Sequence, residues 1–346
     1  MMKTTLAIDA GGTSSRAALL DAAGRCLGTA RAAGGNPTSS GIESAAAQIA
    51  HAATLALARA RLDQPSLSIA PESIVAITQA GQLSDLYRAT LLDHLAPLGF
   101  DRIVIESDLL GMFGSGSAST DGVVLVAGTG SVAGRVAGGR VVQEVGGAGW
   151  LLGDGGSGFW IARRMLRAVT ADLDGLGPRT RLTALVCEAL TLPTADGPTI
   201  ESALRRRSMT LEELIRVANT GPPVSIARFA PLAFAVPQDD VAAQIVDAAV
   251  DHLVALVDAV GGADAGRNHQ ALVVGGSVLV DGILPTLPGA SERLSGAAGG
   301  AVLVPVADGL LGAAMFGIRS LGGDVDDALF ARVAHALEPV RPGATS

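Results

Sequence analysis

The stretch Leu6-Ala7-Ile8-Asp9-Ala10-Gly11-Gly12-Thr13-Ser14 joins a short apolar run to a glycine-rich turn. With the apolar run that follows and a second turn at Gly24, it predicts three strands within residues 4–31. The chain repeats this plan where Val123-Val124-Leu125-Val126 leads into Gly128-Thr129-Gly130-Ser131, and three more strands are predicted across 122–145. Two equivalent hairpins indicate two similar half-domains. Two turns rich in backbone N–H groups can bind a polyphosphate from opposite sides.

The composition limits the classes of protein to which this chain can belong. The chain has 346 residues, 49% of them apolar but only 3% aromatic, so two domains with cores of small side chains are expected. No run of about 18 apolar residues occurs, and the N-terminus reaches Asp9 too soon for a signal peptide. A net charge of −8 argues against a nucleic-acid surface. Cys26 and Cys187 are too few for a disulfide framework, a zinc site or an iron–sulfur cluster. We therefore expect a cytoplasmic protein with no membrane or nucleic-acid partner.

Helices and strands follow in a similar order in each half. In the first half we predict a helix at about 41–62, in which Ser40 and Glu43 have the spacing of a capping box. A strand at 73–77, a helix at 84–95 and a strand at 102–106 complete this half. In the second half a helix-rich insertion at about 157–235 follows the three strands across 122–145. The remaining elements are a helix at 238–260, a strand at 271–274, a helix, a strand at 302–304, a helix at 308–319 and a final helix at 326–338. This order predicts mixed sheets covered by helices.

Two aspartates follow strands, at the edge where ligands bind in open α/β sheets. Asp9 ends the first strand beside Gly-Gly-Thr, where a carboxylate usually orients Mg2+ or its water shell. The alternative for Asp9 is to cap a local N–H. Asp108 follows the strand 102–106, where a carboxylate can accept the proton of a hydroxyl that attacks a phosphoryl group. The alternative for Asp108 is to cap the next helix.

Two further glycine-rich segments are candidates for ligand contact. Gly153, Gly155 and Gly158 have the spacing G-x-G-x-x-G, but no parallel strand precedes them, so a dinucleotide site is not expected. These glycines instead allow the backbone to approach a small ligand, with Asp154 pointing into the site. The run 274–277 (Val-Gly-Gly-Ser) is a strand end that opens a helix, where close approach to a nucleotide is expected. Its alternative is a simple tight turn.

These residues together resemble the N-acetylglucosamine and glucosamine kinase branch of the BadF/BadG-type ATPases, within the actin-like ATPase and sugar kinase superfamily. The matching segments span nearly the whole chain, and the most specific is Gly149-Trp150-Leu151-Leu152-Gly153-Asp154. The resemblance implies an α/β fold of two ribonuclease-H-like domains, each a mixed five-stranded sheet with helices on both faces, and an active site in the cleft between them. The domains are expected at 1–120 and 121–324. The C-terminal helix within 325–340 is expected to pack back on the first domain.

The resemblance also implies roles for individual residues, with ATP and Mg2+ as the cofactors. Asp108 is expected to be the general base for the 6-hydroxyl of a sugar, and Asp9 to hold the metal. The residues expected to contact the sugar are Asn36, Gln79, Asp108, Gly147, Trp150 and Asp154. The residues expected to contact ATP are Gly11, Gly12, Thr13 and Ser14, then Gly128, Thr129, Gly130 and Ser131, and finally Gly275 and Gly276.

Two departures from the family pattern lie near the expected sugar. The family often reads Gly-Asp-Glu-Gly-Ser where residues 153–157 of this chain read Gly-Asp-Gly-Gly-Ser. The loop after the strand 73–77 carries Gln79 and Gln82 in place of small or acidic residues. A bulky amide there would fill the space of an acetyl group, while carboxylates such as Asp108 and Asp154 favour a cationic amine. We therefore expect glucosamine to be preferred over N-acetylglucosamine, with glucosamine 6-phosphate as the product.

Other functions stay open at this point, because a fold does not determine a function. An ATP-driven activator of a radical dehydratase or reductase would carry a cysteine-ligated cluster at a dimer interface, and two isolated cysteines argue against it. A non-catalytic sugar-sensing regulator would carry a helix-turn-helix before the first strand, where few residues stand. A filament-forming ATPase would leave Asn36 and Asp154 without a role. The oligomeric state is open, with a homodimer as one option.

Overall fold

The computed structural model describes residues 1–12, 14–81, 84–191, 209–261 and 271–338. Thr13 and Gln82, which the sequence places near the expected ligands, lie outside these ranges. No helix within the described ranges combines the length and the apolar character that crossing a lipid bilayer requires.

The first half of the chain forms a mixed five-stranded sheet. Its strands are β1 (Thr4–Ala10), β2 (Ser14–Asp21), β3 (Cys26–Ala33), β4 (Ile74–Gln79) and β5 (Ile103–Ser107). They lie in the order β3-β2-β1-β4-β5. The first three strands are antiparallel hairpins, whereas β1, β4 and β5 run parallel to one another. The parallel strands therefore bring the ends of β1, β4 and β5 to one edge of the sheet, which places Asp9 and Asp108 there.

The second half forms a sheet with the same topology. Its strands are β6 (Gly122–Ala127), β7 (Ser131–Ala137), β8 (Arg140–Gly146), β9 (Ala271–Gly275) and β10 (Val302–Val306). They lie in the order β10-β9-β6-β7-β8, with β6, β9 and β10 parallel. The predicted duplication and the pair of mixed five-stranded sheets are thus confirmed.

Helices cover both faces of each sheet. Within the described ranges they are α1 (Pro37–Ser40), α2 (Ile42–Asp63), α3 (Asp85–Leu95), α4 (Asp108–Gly116), α5 (Gly149–Leu152), α6 (Gly158–Leu173), α7 (Leu182–Ala189), α8 (Met209–Asn219), α9 (Pro231–Phe234), α10 (Asp240–Gly261), α11 (Leu284–Thr286), α12 (Ala290–Ala297), α13 (Leu310–Ser320) and α14 (Asp327–Leu337). The segments 96–98 and 223–229 are short 3-10 helices, and Val278–Ile283 is a π-helical turn. The first sheet packs α2 and α3 on one face and α13 and α14 on the other. The second sheet packs α6 and α10 on one face and α4 on the other.

The start of α2 differs from its prediction. The capping box of Ser40 and Glu43 is wrong, because Ser40 ends the preceding helix α1 and its hydroxyl donates to the Asn36 carbonyl at 2.9 Å. Gly41, with φ of 82°, separates the two helices and occupies the N-cap of α2 without a side-chain hydrogen bond. The short Asn36-Pro37 helix start, which is favourable because Pro suits the first helical turn, takes precedence over the capping box.

The two halves meet where α4 and α13 cross at glycines. A Cβ on Gly312 would lie 1.9 Å from the Gly111 carbonyl oxygen, and one on Gly114 would lie 2.9 Å from the Gly312 Cα. Only glycine allows the two backbones to approach this closely. Since α4 packs on the second sheet and α13 on β1 and β4, this crossing joins the halves.

The end of the chain returns to the first sheet. Residues 310–320, which the predicted division assigns to the second half, pack on β1 and β4, and α14 packs beside them and against β3. The division of the chain after residue 120 stays a prediction.

Candidate active site

The first glycine turn, between β1 and β2, directs backbone donors away from the body of the first sheet. Gly11 donates its N–H to the Ser14 carbonyl at 3.0 Å, and Gly35 donates to the Gly11 carbonyl at 3.1 Å. In a trans peptide the C=O and the following N–H point in opposite directions. The Gly12 N–H therefore points away from Gly35.

The second glycine turn, between β6 and β7, is held by the start of α6. The Gly158 and Phe159 N–H groups donate to the Gly128 and Thr129 carbonyls at 2.8 and 3.2 Å. By the same peptide geometry, the N–H groups of Thr129 and Gly130 point away from α6. In both predicted phosphate-binding turns, the Gly11, Gly128 and Thr129 carbonyls thus accept hydrogen bonds within the protein. The N–H groups that follow these carbonyls point in the opposite direction.

Asp154 lies directly against the second turn. Its carboxylate accepts the Ser131 N–H at 3.3 Å, and both carboxylate oxygens would be 3.1 Å from a Cβ on Gly130. Asp154 has a φ of 60°, and the Ser131 hydroxyl holds the adjoining backbone by donating to the Gly155 carbonyl at 2.8 Å. Burial raises the pKa of Asp154. Ser131 thus positions the Asp154 loop, and its polar groups are already engaged within the protein.

Gly275 and Gly276 bring the end of β9 against the second turn. Gly276 has a φ of 88°, and a Cβ there would lie 2.4 Å from the Ala127 carbonyl oxygen. Next to this contact lies a cavity of about 580 Å³. Its lining residues come from the second turn, the helical insertion and the π-helical turn: Gly128, Thr129, Gly158, Val224, Ser225, Ala227, Arg228, Ala230, Pro231, Phe234, Ser277, Val278, Asp281 and Gly282. Arg228, Phe234 and Asp281 could not be predicted from the sequence, because they become neighbours only in the fold.

Asp9 is buried among charged groups at the end of β1. Its Oδ2 accepts from Arg16 Nη1 and from the Gly309 N–H, each at 3.2 Å. Arg16 Nε is 3.9 Å from Oδ2 of the buried Asp308. Burial and the Asp308 carboxylate raise the pKa of Asp9 to about 6, although Arg16 and the Gly309 N–H act in the opposite direction. Asp308 and Arg16 were missed in the sequence, since Asp308 lies at the other end of the chain.

Asp108 begins α4 at the same edge. Burial, and after it the Glu144 carboxylate on β8, raises the pKa of Asp108, whereas the Leu109 N–H lowers it. Asp108 is also close enough to Asp9 to raise the pKa of that residue. The N-cap of α4 is Ser107, whose hydroxyl accepts the Leu109 N–H at 3.3 Å. Ser107 is therefore the N-cap residue of α4, and the Glu144 carboxylate of the other half is close enough to raise the pKa of Asp108.

Asn36 and Gln79 lie in a second cluster of the first half. Asn36 Oδ1 accepts the Thr38 N–H at 2.9 Å and caps α1. Gln79 is 2% exposed, and its Oε1 accepts from the Tyr87 hydroxyl at 2.8 Å. The Tyr87 hydroxyl also lies 3.5 Å from the Gly35 carbonyl. Gln79 therefore supports the turn that carries Asn36 and does not project into open space.

Gly147 and Trp150 lie beside the second turn. The Gly147 N–H donates to the Ser131 carbonyl at 2.9 Å, with a φ of 65° that favours glycine. The Trp150 ring lies 5.5 Å from the Phe159 ring and is partly exposed. The structure thus groups Gly147, Asp154 and the second turn together. The convergence of Asn36, Asp108 and Asp154 on one sugar stays a prediction.

Comparison with known proteins gives a consistent family. The sequence profile of the BadF/BadG/BcrA/BcrD ATPase family matches residues 6–317. A glucosamine kinase of Vibrio cholerae is 28% identical over 185 residues, which cover 54% of this chain and 60% of that protein. The chain therefore matches less than two thirds of the length of this relative.

Solved structures show the same fold. A candidate N-acetylglucosamine kinase from Chromobacterium violaceum is 20% identical with a TM-score of 0.66, over 91% of this chain and 99% of that one. A second, from Porphyromonas gingivalis, is 20% identical with a TM-score of 0.61, over 92% and 99%. At this identity the likeness establishes the fold and its two-sheet architecture.

Proposed function

Because the chain belongs to the BadF/BadG/BcrA/BcrD ATPase family, we propose that it is an ATP-dependent sugar kinase whose preferred acceptor is the 6-hydroxyl of glucosamine. One observation carries the kinase proposal. The cavity of about 580 Å³ is bounded on one side by Gly128 and Thr129 and on another by Ser277 and Val278. Two segments that were each expected to contact a nucleotide thus line one cavity of the size that a ligand site requires.

The nucleotide would place its adenosine in this cavity and its phosphates at the glycine turns. The outward N–H groups of Thr129 and Gly130 would donate to phosphate oxygens, as backbone donors in such turns do. The Gly12 N–H would do the same from the first half. Arg228 and Asp281 line the cavity and supply polar groups for the base and the ribose.

The residues at Asp9 fit a divalent cation. The Asp9 carboxylate is buried beside the Asp308 carboxylate, and its pKa is raised first by burial and second by that neighbouring charge. Bound Mg2+ would supply positive charge that neutralises the phosphates during transfer. Within the described ranges no group of three or more His, Cys, Asp or Glu side chains forms a metal site by itself. That is compatible with Mg2+, which usually keeps several waters and takes one or two carboxylates together with substrate phosphates.

Asp108 is the proposed general base. It lies at the carboxyl end of β5, and its pKa is raised by burial, which makes its carboxylate a better proton acceptor near neutral pH. It would accept the proton of the sugar 6-hydroxyl as that oxygen attacks the phosphorus. Closure of the two halves about the α4–α13 crossing would exclude water, which otherwise competes as an acceptor.

The preference for glucosamine rests on charge. The expected blocking of the acetyl group by Gln79 receives no support, since that side chain is buried against Tyr87. The preference for glucosamine is instead supported by the acidic groups near the base. Asp108 and Glu144 are mutually close enough for Glu144 to raise the Asp108 pKa. A cationic amine would relieve this repulsion, whereas the neutral amide of N-acetylglucosamine would not.

The test is release of ADP in a coupled assay with glucosamine, N-acetylglucosamine and glucose, each at saturating MgATP. We expect the highest kcat/KM for glucosamine. A higher value for N-acetylglucosamine would overturn the substrate and leave the kinase standing. ADP release that no sugar stimulates would overturn the kinase, and would favour an ATPase activator or a non-catalytic sugar sensor.

A further inference from the structure

Asp308 is a buried carboxylate with an oxygen that the protein leaves unpaired. Its Oδ1 accepts the Leu310 N–H at 3.0 Å, in the turn that leads into α13. Its Oδ2 is buried and has no hydrogen-bond partner within the described part of the chain, and its side chain is 1% exposed. A buried charge is costly unless it is paired. The bond to Leu310 accounts for one carboxylate oxygen and leaves the other unexplained.

The nearest cation does not satisfy this oxygen. Arg16 Nε lies 3.9 Å from Asp308 Oδ2, which is too long for a hydrogen bond, and this Nε is itself buried and unpaired. The guanidinium instead donates through Nη1 to Asp9 at 3.2 Å. One guanidinium thus stands between two carboxylates, and Asp108 adds a third negative charge nearby. The cluster is short of positive charge.

We propose that Asp308 is the second carboxylate of the divalent-cation site at Asp9, with its free Oδ2 binding the cation directly or through a bound water. The inference rests on the proposed function, because the cation is the one that accompanies the nucleotide. A divalent cation would satisfy the unpaired oxygen and neutralise the excess charge in one step. Two carboxylates, water and phosphate oxygens are a set that Mg2+ accepts.

The fold holds the two carboxylates together. Gly309, the residue after Asp308, donates its N–H to Asp9, and a Cβ on Gly309 would lie 2.8 Å from Asp9 Oδ1. Asp308 and Gly309 start α13, which crosses α4 at the junction of the halves. A cation held by Asp9 and Asp308 therefore ties the end of β1 to this crossing.

Binding of Mn2+ in place of Mg2+, followed by electron paramagnetic resonance in the presence of the non-hydrolysable analogue AMPPNP, tests the proposal directly. Asp308→Asn keeps the size and an oxygen that can accept the Leu310 N–H but removes the carboxylate. We expect it to weaken Mn2+ binding to the protein–AMPPNP complex by about 10–100-fold, the usual cost of losing a metal-site partner. AMPPNP binding in EDTA should stay unchanged. Asp9→Asn should weaken Mn2+ binding at least as much.

The matched control is Asp326→Asn. Asp326 caps α14 by accepting the Leu329 N–H at 2.7 Å, so it too is an aspartate at the start of a helix, but α14 lies on the outer face of the first sheet. The Asp326→Asn protein should bind Mn2+ as tightly as the unaltered protein. Asp308→Ser, which keeps a side-chain oxygen able to accept a backbone N–H at the start of the helix, serves as a second variant, and thermal melting verifies that each protein is folded.

Each outcome decides between the proposals. The role of Asp308 would be overturned if the folded Asp308→Asn and Asp308→Ser proteins bind Mn2+ as tightly as the unaltered protein while the Asp9→Asn protein does not. The kinase proposal would remain intact. Loss of Mn2+ binding in the Asp308 variants supports the role, and it does so even where no sugar stimulates ADP release, in which case only the kinase proposal fails.

Discussion

The crossing of α4 (Asp108–Gly116) and α13 (Leu310–Ser320) predicts a strong effect from one methyl group. In Gly312→Ala, the new Cβ would lie 1.9 Å from the Gly111 carbonyl oxygen and 2.6 Å from its carbonyl carbon. The usual closest C···O approach is about 3.3 Å. The neighbour is backbone on both sides, so relief requires the helices to move apart. This movement would also strain the hydrogen bond that the Gly312 N–H donates to the Ser115 hydroxyl at 2.9 Å.

Two opposing contributions set the magnitude of this effect. Replacing a helical glycine by alanine gains about 0.8–1 kcal/mol in helix propensity. Overpacking typically costs about 1–3 kcal/mol, and more where the backbone must shift. The approach of 1.9 Å lies at the severe end, so we expect a net loss of about 1–2 kcal/mol in the free energy of unfolding.

The assay is urea unfolding, followed by the fluorescence of the two tryptophans, with Gly296→Ala as the matched control. Gly296 is a helical glycine of α12 (Ala290–Ala297), and a Cβ there would meet nothing within 4 Å. That variant should be slightly more stable than the unaltered protein, because it gains propensity without a clash. A Gly312→Ala protein that is as stable as the unaltered chain, or more stable, would refute the close crossing.

Four further predictions concern the site. Asp108→Asn should lower kcat by about 10²–10⁴-fold with ATP affinity retained, and a loss below about threefold would remove the base role. Because the pKa of Asp108 is raised above its ordinary value of 3.8, kcat/KM should fall as the pH drops through that raised pKa and the base is protonated. If the residual activity of the Asp108→Asn protein falls at low pH in the same way, the fall belongs to another group. Tyr87→Phe removes the hydroxyl that donates to Gln79 and should cost about 1–3 kcal/mol in urea unfolding, since it leaves a buried amide oxygen unpaired; an unchanged midpoint would contradict that bond. Small-angle scattering should show a smaller radius of gyration with glucosamine and AMPPNP bound, and an unchanged radius with binding verified separately would count against closure.

The strands and the long helices could be read from the sequence because local patterns determine them. The runs around Asp9 and Val123 are apolar and end in glycine turns, and β1 and β6 form there. The residue order also predicted the duplicated sheet topology. The start of α2 was wrong because two local signals, Asn36-Pro37 and Ser40-Glu43, compete for one stretch, and the first prevails.

The site was predictable only where its residues lie at strand ends. Asp9, Asp108 and the two turns lie at the ends of strands, so the edge of the sheet on which each lies could be predicted. Asp308 and Glu144 come near Asp9 and Asp108 through tertiary packing between distant segments, which no local pattern encodes. The burial of the Gln79 side chain follows from its place on the fully buried strand β4 and from its contact with Tyr87, and neither is apparent without the fold.

The most direct test of the central claim is phosphorus NMR of a reaction with MgATP and glucosamine. We expect loss of the γ-phosphate signal of ATP and the appearance of a phosphomonoester coupled to the protons on carbon 6, with the Asp108→Asn protein forming it far more slowly. Formation of inorganic phosphate alone, or an ATP spectrum that glucosamine leaves unchanged, would contradict the assignment of the cleft as a sugar kinase site.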